Sequence, residues 1–209
     1  VKGDPSSAAF FTTLTLLNKG SSIKIKNVGL NPTRIGFYKI LKKQKAKLKF
    51  INLKKENNEI SGDILVKSSS LKPIKTSAKM YPSTTDEYLL LFLIASFQNG
   101  VSIFKGISDL ANKESSRAYE MKKILNQVGI KCVLNKNEMR IYGKGMFDAS
   151  QKKITINNLG DHRIAMSAFI LAILTNAKTL IKNFETVYTS SPSFLKIMKN
   201  LGAKFEIQK

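Results

Sequence analysis

The sequence predicts an α/β fold, with one globular domain over residues 1–209 assembled from three βαβαββ-like units. The main observation is a repeated order of a capping residue, an apolar helix, a small or polar break and a β-branched strand. Aligning Asn27, Gly106 and Asn183 spaces the units about 78 residues apart, and a fixed period of this kind is the signature of a repeat architecture. We predict unit limits of approximately 1–80, 81–157 and 158–209.

The first half of each unit is an apolar helix followed by a strand. These helices are hydrophobic nearly all round, which predicts that they lie inside the domain. Their apolar stretches fall well short of the roughly 18 residues that a membrane span needs. The predicted helices cover 8–17, 88–97 and 164–174, and the strands cover 23–27, 101–106 and 179–183.

The second half of each unit is an amphipathic helix followed by an alternating strand. Apolar residues three and four apart predict the helices, and period-two alternation predicts the strands. Units one and two add a hairpin partner. The predicted helices cover 33–45, 115–128 and 193–201, the strands cover 47–51, 130–134 and 203–207, and the hairpin partners cover 62–66 and 138–142.

Three like units around an axis would point the N-termini of three apolar helices toward one rim. Unpaired N–H groups and the positive end of the helix dipole would make that rim an anion site. Asp4, Asp86 and Asp161 precede the three helices, and aspartate is also an ordinary N-cap residue. The spacing alone leaves both interpretations open.

The chain is strongly basic, with 35 Lys and Arg against 14 Asp and Glu and a net charge of +21 at pH 7. This excess favours polyanions or anionic small molecules as partners. A nucleic-acid-binding module is therefore one hypothesis, which the lysine-rich run 42–47 also suggests. Against it, the lysines are spread along the whole chain, no RNA- or DNA-binding motif with interleaved aromatics occurs, and the run is typical of a solvated helix face.

Cysteine and histidine are scarce. A single cysteine, Cys132, excludes a disulfide framework and fits a reducing compartment, so we expect a cytoplasmic protein. A single histidine, His162, leaves no Cys/His cluster for structural zinc. The chain opens on Val1 without a signal peptide, and we expect it to be a piece of a longer protein.

Two motifs place charges where helices begin. Residues 112–117 put Lys113, Glu114 and Arg117 together, with the last two sharing a face if the helix has begun; alone, this pattern is also typical of a capped, solvated helix start. Arg163 precedes an apolar helix, where a cation opposes the dipole, so an anionic ligand would explain it.

A third motif places Asp86 and Glu87 ahead of an apolar helix. A carboxylate that faces Arg and Lys can act as a base, and burial can raise its pKa toward the working range. Without context, a helix cap followed by a first-turn acid is the simpler interpretation.

Six strings resemble the carboxy-terminal half of the 5-enolpyruvylshikimate-3-phosphate synthase family, in the same order and spacing over the whole chain. The class most similar is that of the bacterial glyphosate-tolerant forms. The strings are GDPSSAAFF (3–11), LNPTR (30–34), TDEY (85–88), NKESSR (112–117), LGDHRIAMS (159–167) and TSSPSF (189–194).

The resemblance implies a fold and a reaction. The fold is the inside-out α/β barrel of enolpyruvyl transferases, with two domains of three βαβαββ units and an active site between them. The reaction transfers enolpyruvyl from phosphoenolpyruvate to the 5-hydroxyl of shikimate 3-phosphate and releases phosphate, with no metal or other cofactor. The sister enzyme that acts on UDP-N-acetylglucosamine shares this fold and is the nearest alternative.

The resemblance also assigns roles to individual residues. Asp86 matches the catalytic aspartate that contacts the shikimate hydroxyl, and Glu114 matches the glutamate of proton transfer at the methylene. The other matches are Lys113 as a ligand of shikimate 3-phosphate, Arg117 and Arg163 as the phosphoenolpyruvate clamp, and Asp161 and His162 as supporting residues.

The sequence departs from the family pattern in a few places. Ser116, Leu89 and Ser191 replace an Asp, a Pro and a Phe, and Thr189 stands where some members carry a phosphoenolpyruvate-binding Lys. The family's amino-terminal half is absent, so we expect this piece alone to have little or no activity. The amino-terminal half is the expected protein partner, neither a specific nucleic acid nor a membrane is expected, and we expect the full-length enzyme to be a monomer.

Overall fold

Residues 1–208 are described by a computed structural model. The first unit forms a three-stranded antiparallel sheet in the order β1-β3-β2, and an isolated parallel bridge from Gly3 to Val28 extends it beside β1. The elements of this unit are α1 (Pro5–Leu17), β1 (Ser22–Gly29), α2 (Gly36–Lys43), β2 (Leu48–Glu56) and β3 (Glu59–Lys67).

The second unit contains the complete βαβαββ order. Its sheet runs β4-β5-β7-β6, with β4 parallel to β5 and the other neighbours antiparallel. The elements of this unit are β4 (Lys75–Thr76), α3 (Tyr88–Ser96), β5 (Asn99–Lys105), α4 (Arg117–Gln127), β6 (Lys131–Asn135) and β7 (Glu138–Lys144).

The third unit has a two-stranded parallel sheet, in which β8 pairs with β9. Its elements are β8 (Lys153–Asn157), α5 (His162–Thr175), β9 (Lys178–Lys182), α6 (Thr186–Ser190) and α7 (Phe194–Asn200). The sequence patterns did not identify β4, β8 or α6. Pairing joins β4 to β5 and β8 to β9, so each of these short strands belongs to the sheet of the unit that follows it.

The predicted strand at 203–207 is wrong, because this segment has no regular secondary structure. In units one and two the corresponding strands, β2 and β6, pair only with the next strand along the chain. Among the described residues 1–208, no strand pairs with the segment 203–207. Alternation of apolar side chains is a local property, whereas a strand also needs a neighbour for its backbone hydrogen bonds.

The second helix of unit one is shorter than the predicted 33–45. Asn31 accepts hydrogen bonds from the backbone N–H and hydroxyl of Thr33 through Oδ1, at 3.0 and 2.8 Å, and this turn delays the helix to Gly36. Lys45 has φ 62°, which lies outside the helical region.

The α/β class and the buried position of the three apolar helices are confirmed. All nine residues of α3 are buried, and α1 and α5 are buried over most of their length. Each of these helices packs on the sheet of its own unit and contacts the other two. One apolar cluster runs through all three units, and Phe194 joins it by contacting Phe10, Phe11 and Phe169. The described residues contain no helix with the length and apolar character needed to cross a membrane.

Candidate active site at the meeting of three helix N-termini

Side chains near the N-termini of α1, α3 and α5 bond to one another across the three units. The Ser6 hydroxyl at the start of α1 donates to Glu87 Oε1, just ahead of α3. Arg163 in the first turn of α5 contacts Asp86, which lies in the short 3₁₀ turn Thr85–Glu87. The predicted rim therefore exists, and three sequence-distant motifs meet there.

Two of the three aspartates at this rim cap their helices. Asp4 accepts a hydrogen bond from the backbone N–H of Ser7 at 2.8 Å, and Asp161 accepts one from that of Arg163 at 2.9 Å. Within residues 1–208 the Asp86 carboxylate accepts no such bond, and the residue that directly precedes α3 is Glu87, whose side chain makes no capping bond either. Interpreting Asp86 as an ordinary cap is therefore wrong, and its carboxylate faces arginines instead.

Arg117, at the first position of α4, is buried against Asp161. Its side chain is 2% exposed, and Nε donates to Asp161 Oδ2 at 2.8 Å. The Ser115 hydroxyl donates to the same oxygen at 3.0 Å. Burial alone would raise the pKa of Asp161, but the hydrogen bond and charge of Arg117, with the Arg163 amide and Ser115 hydroxyl, hold it below its ordinary value. Asp161 is thus an ionised anchor for Arg117.

The terminal nitrogens of Arg117 reach two further carboxylates. Nη2 donates to Glu114 Oε2 at 2.5 Å, and Nη1 lies 3.5 Å from Asp86 Oδ1. The side chain of Glu114 is 53% exposed, whereas that of Asp161 is fully buried. Arg117 therefore has one fixed partner in the interior and two on the accessible side of the cluster.

Arg163 approaches Asp86 from a different helix. Its Nη2 lies 3.4 Å from Asp86 Oδ2, and its Nη1 donates to the Asp86 carbonyl oxygen at 3.3 Å. The anionic ligand expected at this helix start stays a prediction, and within the chain the carboxylate of Asp86 offsets the unfavourable interaction of Arg163 with the helix dipole. Two guanidinium groups from two helices thus converge on one carboxylate.

His162 and Lys113 flank this cluster. Burial and the charge of Arg163 lower the pKa of His162 below its ordinary value, so the imidazole is neutral at pH 7. Lys113 is exposed, and within residues 1–208 its ammonium makes neither a hydrogen bond nor an ion pair. The structure thus brings Asp86, Glu114, Arg117, Asp161 and Arg163 into one cluster, places His162 beside it and leaves the exposed Lys113 outside it.

Sequence reasoning treated Glu87 as a first-turn acid and did not identify its contact with Ser6. Glu87 is 4% exposed, and burial raises its pKa to about 7, even though the Ser6 hydrogen bond and Arg163 lower it. The only local signal was an acidic residue placed directly before a helix that is apolar on every side. The partner of Glu87 lies 81 residues away and could not be inferred from spacing.

This cluster is suited to binding anionic groups and to transferring protons. Two arginines, two of the four in the chain, present N–H donors beside carboxylates of different burial. A planar guanidinium binds phosphate or carboxylate groups bidentately, so an incoming anion could replace Asp86 or Glu114 at these donors. Within residues 1–208, no group of three or more His, Cys, Asp or Glu side chains is arranged to hold a metal ion.

Residues 1–198 match the family model of EPSP synthase (3-phosphoshikimate 1-carboxyvinyltransferase). The chain belongs to the EPSP synthase family. It is 38% identical over 201 residues to the 3-phosphoshikimate 1-carboxyvinyltransferase of Petrotoga mobilis, covering 96% of this chain and 46% of the relative. It is 35% identical over 204 residues to that of Paramagnetospirillum magneticum, covering 98% and 45%.

Solved structures agree with this family assignment. EPSP synthase from Acinetobacter baumannii superposes with a TM-score of 0.91 at 32% identity, over 100% of this chain and 48% of that one. The enolpyruvyl transferase NikO from Streptomyces tendae superposes with a TM-score of 0.69 at 13% identity, covering 95% and 43%, which shows a shared fold. The predicted enolpyruvyl-transferase fold is confirmed, and the chain spans about half the length of the EPSP synthase relatives it matches.

Proposed function

We propose that this chain supplies the carboxy-terminal half of an EPSP synthase and forms one wall of its active-site cleft. The whole enzyme would transfer the enolpyruvyl group of phosphoenolpyruvate to the 5-hydroxyl of shikimate 3-phosphate and release phosphate. The observation that carries the proposal is the convergence of Arg117 and Arg163 on Asp86, with Glu114 on the other terminal nitrogen of Arg117.

In this proposal the two arginines bind phosphoenolpyruvate. Their donors now face the carboxylates of Asp86 and Glu114, which occupy the places that a substrate phosphate or carboxylate would take. Binding the substrate would release those two carboxylates toward the reacting atoms, while Asp161 keeps Arg117 fixed. Preorganised cations of this kind stabilise the charge that develops in a transition state.

The released carboxylates then move protons. Asp86 accepts the proton of the attacking 5-hydroxyl, and Glu114 exchanges a proton with the methylene carbon of phosphoenolpyruvate. The exposed Lys113 neutralises shikimate 3-phosphate from the open side of the cleft, and neutral His162 supports Arg163. Domain closure over the two anions would exclude water.

The partners follow from the same proposal. The two substrates are small phosphorylated anions, and the protein partner is the amino-terminal half of the same enzyme. The full-length enzyme would act as a monomer in the cytoplasm.

The test is to mix this chain with the amino-terminal half of an EPSP synthase and follow phosphate release from the two substrates. We expect release from the mixture and little from either half. Asp86→Ala should lower kcat by about 10²- to 10⁴-fold, the range for loss of a general base. Asp148→Ala, which removes an exposed aspartate bonded only within its own turn, is the matched control. A folded mixture that releases no phosphate, or one in which Asp86→Ala is as active as wild type, would contradict the proposal.

A further inference from the structure

Glu87 directly follows Asp86 in the sequence, and its side chain is bound on the opposite side of the backbone from the Asp86 carboxylate. The Asp86 carboxylate and carbonyl oxygen face Arg163, whereas the Glu87 side chain turns inward and accepts from Ser6, which is 2% exposed. The peptide that joins these two residues is therefore held on both sides. Any movement of Glu87 would carry Asp86 with it.

The Ser6 hydroxyl connects Glu87 to the surface of unit one. Its oxygen accepts from Arg34 Nη2 at 3.4 Å while its hydrogen is donated to Glu87. Arg34 Nη2 also lies 3.0 Å from Asp4 Oδ1. A continuous path of polar contacts thus leads from Asp4 and Arg34 through Ser6 to Glu87.

We propose that Glu87 is a positioning residue that, through Ser6, fixes the backbone at Asp86 and so aims the Asp86 carboxylate at Arg117 and Arg163. The proposal rests on the proposed function, since it is the role of Asp86 there that makes its position matter. Glu87 itself touches neither substrate. It acts by holding unit one against the catalytic corner of unit two.

The protonation state of Glu87 is set by groups from every element around it. Asp86 on its own turn and Asp4 ahead of α1 repel its charge, while Arg163 from α5 and the Ser6 hydroxyl favour it. The phenol of Tyr38 on α2 also faces it, and burial holds that group neutral by raising its pKa well above the ordinary value. Burial is the largest cause, and with the two aspartates it outweighs Ser6 and Arg163, so the pKa of Glu87 is raised to about 7.

Glu87 therefore ionises near neutral pH. Its ionisation changes the strength of the Ser6–Glu87 hydrogen bond, which fixes the backbone at Asp86. A hydrogen bond to a carboxylate is stronger than one to a neutral carboxyl group. We expect Ser6 to hold Glu87 more firmly above pH 7 than below it, and Arg163 to sense the added negative charge.

The first experiment needs no enzyme activity. In the 209-residue chain, labelled carboxyl and arginine side-chain resonances are followed by NMR from pH 5 to 9, with only four arginines to assign. We expect one glutamate to titrate near pH 7 and the Arg163 Nε resonance to shift with the same midpoint. Glu87→Gln, which keeps the shape and an acceptor oxygen, should abolish both changes.

Two variants sharpen this titration. Ser6→Ala should move the midpoint upward by about one pH unit, because a hydrogen bond that favours the charged form is lost. His162→Asn should leave the midpoint near 7 in place, which separates Glu87 from the neighbouring imidazole. Glu59→Gln, at an exposed glutamate paired with Lys2, is the matched control and should change nothing near pH 7. An Arg163 shift that persists in Glu87→Gln would overturn the proposal.

The second experiment measures phosphate release by the chain mixed with its amino-terminal half. Glu87→Gln should lower kcat about tenfold above pH 7 and change KM for phosphoenolpyruvate by no more than about twofold, as expected when a catalytic group is misplaced. If ionised Glu87 holds Asp86 more firmly, wild-type kcat should rise with pH near 7, and Glu87→Gln should remove that rise. If wild type releases phosphate and Glu87→Gln matches it across pH 6–8, the positioning role is wrong. If wild type releases none, the proposed function fails, and the NMR result alone decides whether Glu87 controls the cluster.

Discussion

Arg34 and Arg117 lie where the second helix of units one and two begins, yet they have different surroundings. Each bonds to the aspartate that caps an apolar helix, Arg34 to Asp4 and Arg117 to Asp161. The first pair is 51% and 41% exposed, and the second is 2% and 0% exposed. The same two residue types thus form a surface ion pair within unit one and a buried anchor between units two and three.

The difference follows from what covers each pair. Arg117 also contacts Glu114 and Asp86, and Asp161 also accepts from Ser115, so the buried charges are hydrogen-bonded on several sides. A buried ion pair persists only with such additional partners. The fixed part of the candidate site therefore lies where units two and three meet, while the Arg34–Asp4 pair of unit one remains open to water.

The largest effect is expected from unpairing the buried anchor. Asp161→Ala should lower the free energy of unfolding by about 3–5 kcal/mol, because it leaves the Arg117 guanidinium buried without its main partner. Asp4→Ala is the matched variant in unit one, and losing its helix cap should cost about 1 kcal/mol. Urea unfolding of both variants measures the two losses. Equal losses would show that burial does not distinguish the two pairs.

An intermediate effect is expected from pH when Arg117 is replaced. In wild type the lowered pKa of Asp161 stabilises the fold above the unfolded-state value of about 4, and this contribution is lost as pH falls through the folded-state pKa. In Arg117→Met, burial would dominate and raise the pKa of Asp161 above that in wild type. The penalty for a buried charge is then relieved by protonation at acid pH.

The measurement is the urea midpoint of wild type and Arg117→Met at pH 7 and pH 5. We expect the difference in urea midpoint between the two proteins to be smaller at pH 5 than at pH 7. Because Glu87 titrates in both proteins, its contribution cancels when the two midpoints are subtracted at each pH. An equal difference at the two pH values would mean that Asp161 stays ionised without Arg117, because a group that stays ionised adds no pH dependence.

The smallest effect is expected from Arg34→Ala. Its partner Asp4 is exposed, and an exposed ion pair contributes about 0–1 kcal/mol. The free energy of unfolding should therefore change by no more than about 1 kcal/mol, and adding salt to wild type should reproduce much of that change. A loss of unfolding free energy as large as that of Asp161→Ala would show that the Arg34–Asp4 pair stabilises the fold as strongly as the buried Arg117–Asp161 pair.

Much of the secondary structure follows from short stretches of sequence. Asp4 with Pro5, and Asp161 ahead of His162, start helices by satisfying N–H groups within a few residues, and both helices form as predicted. The short strands β4 and β8 escaped prediction because their identity depends on pairing with β5 and β9. The segment 203–207 shows the reverse case, since its side chains alternate as in a strand but it pairs with no strand among residues 1–208.

The sequence by itself indicated the repeat, the apolar helices, the family and the motifs that meet in the candidate site, because each of these is a matter of local order and spacing. Tertiary structure decided which charges meet. Asp86, which could be an ordinary helix cap by sequence, contacts two arginines in the structure. Glu87 accepts a hydrogen bond from Ser6, which lies 81 residues away. Burial and long-range pairing depend on how three units pack around their helices, and that packing sets the dielectric surroundings and hence the pKa of each carboxyl group.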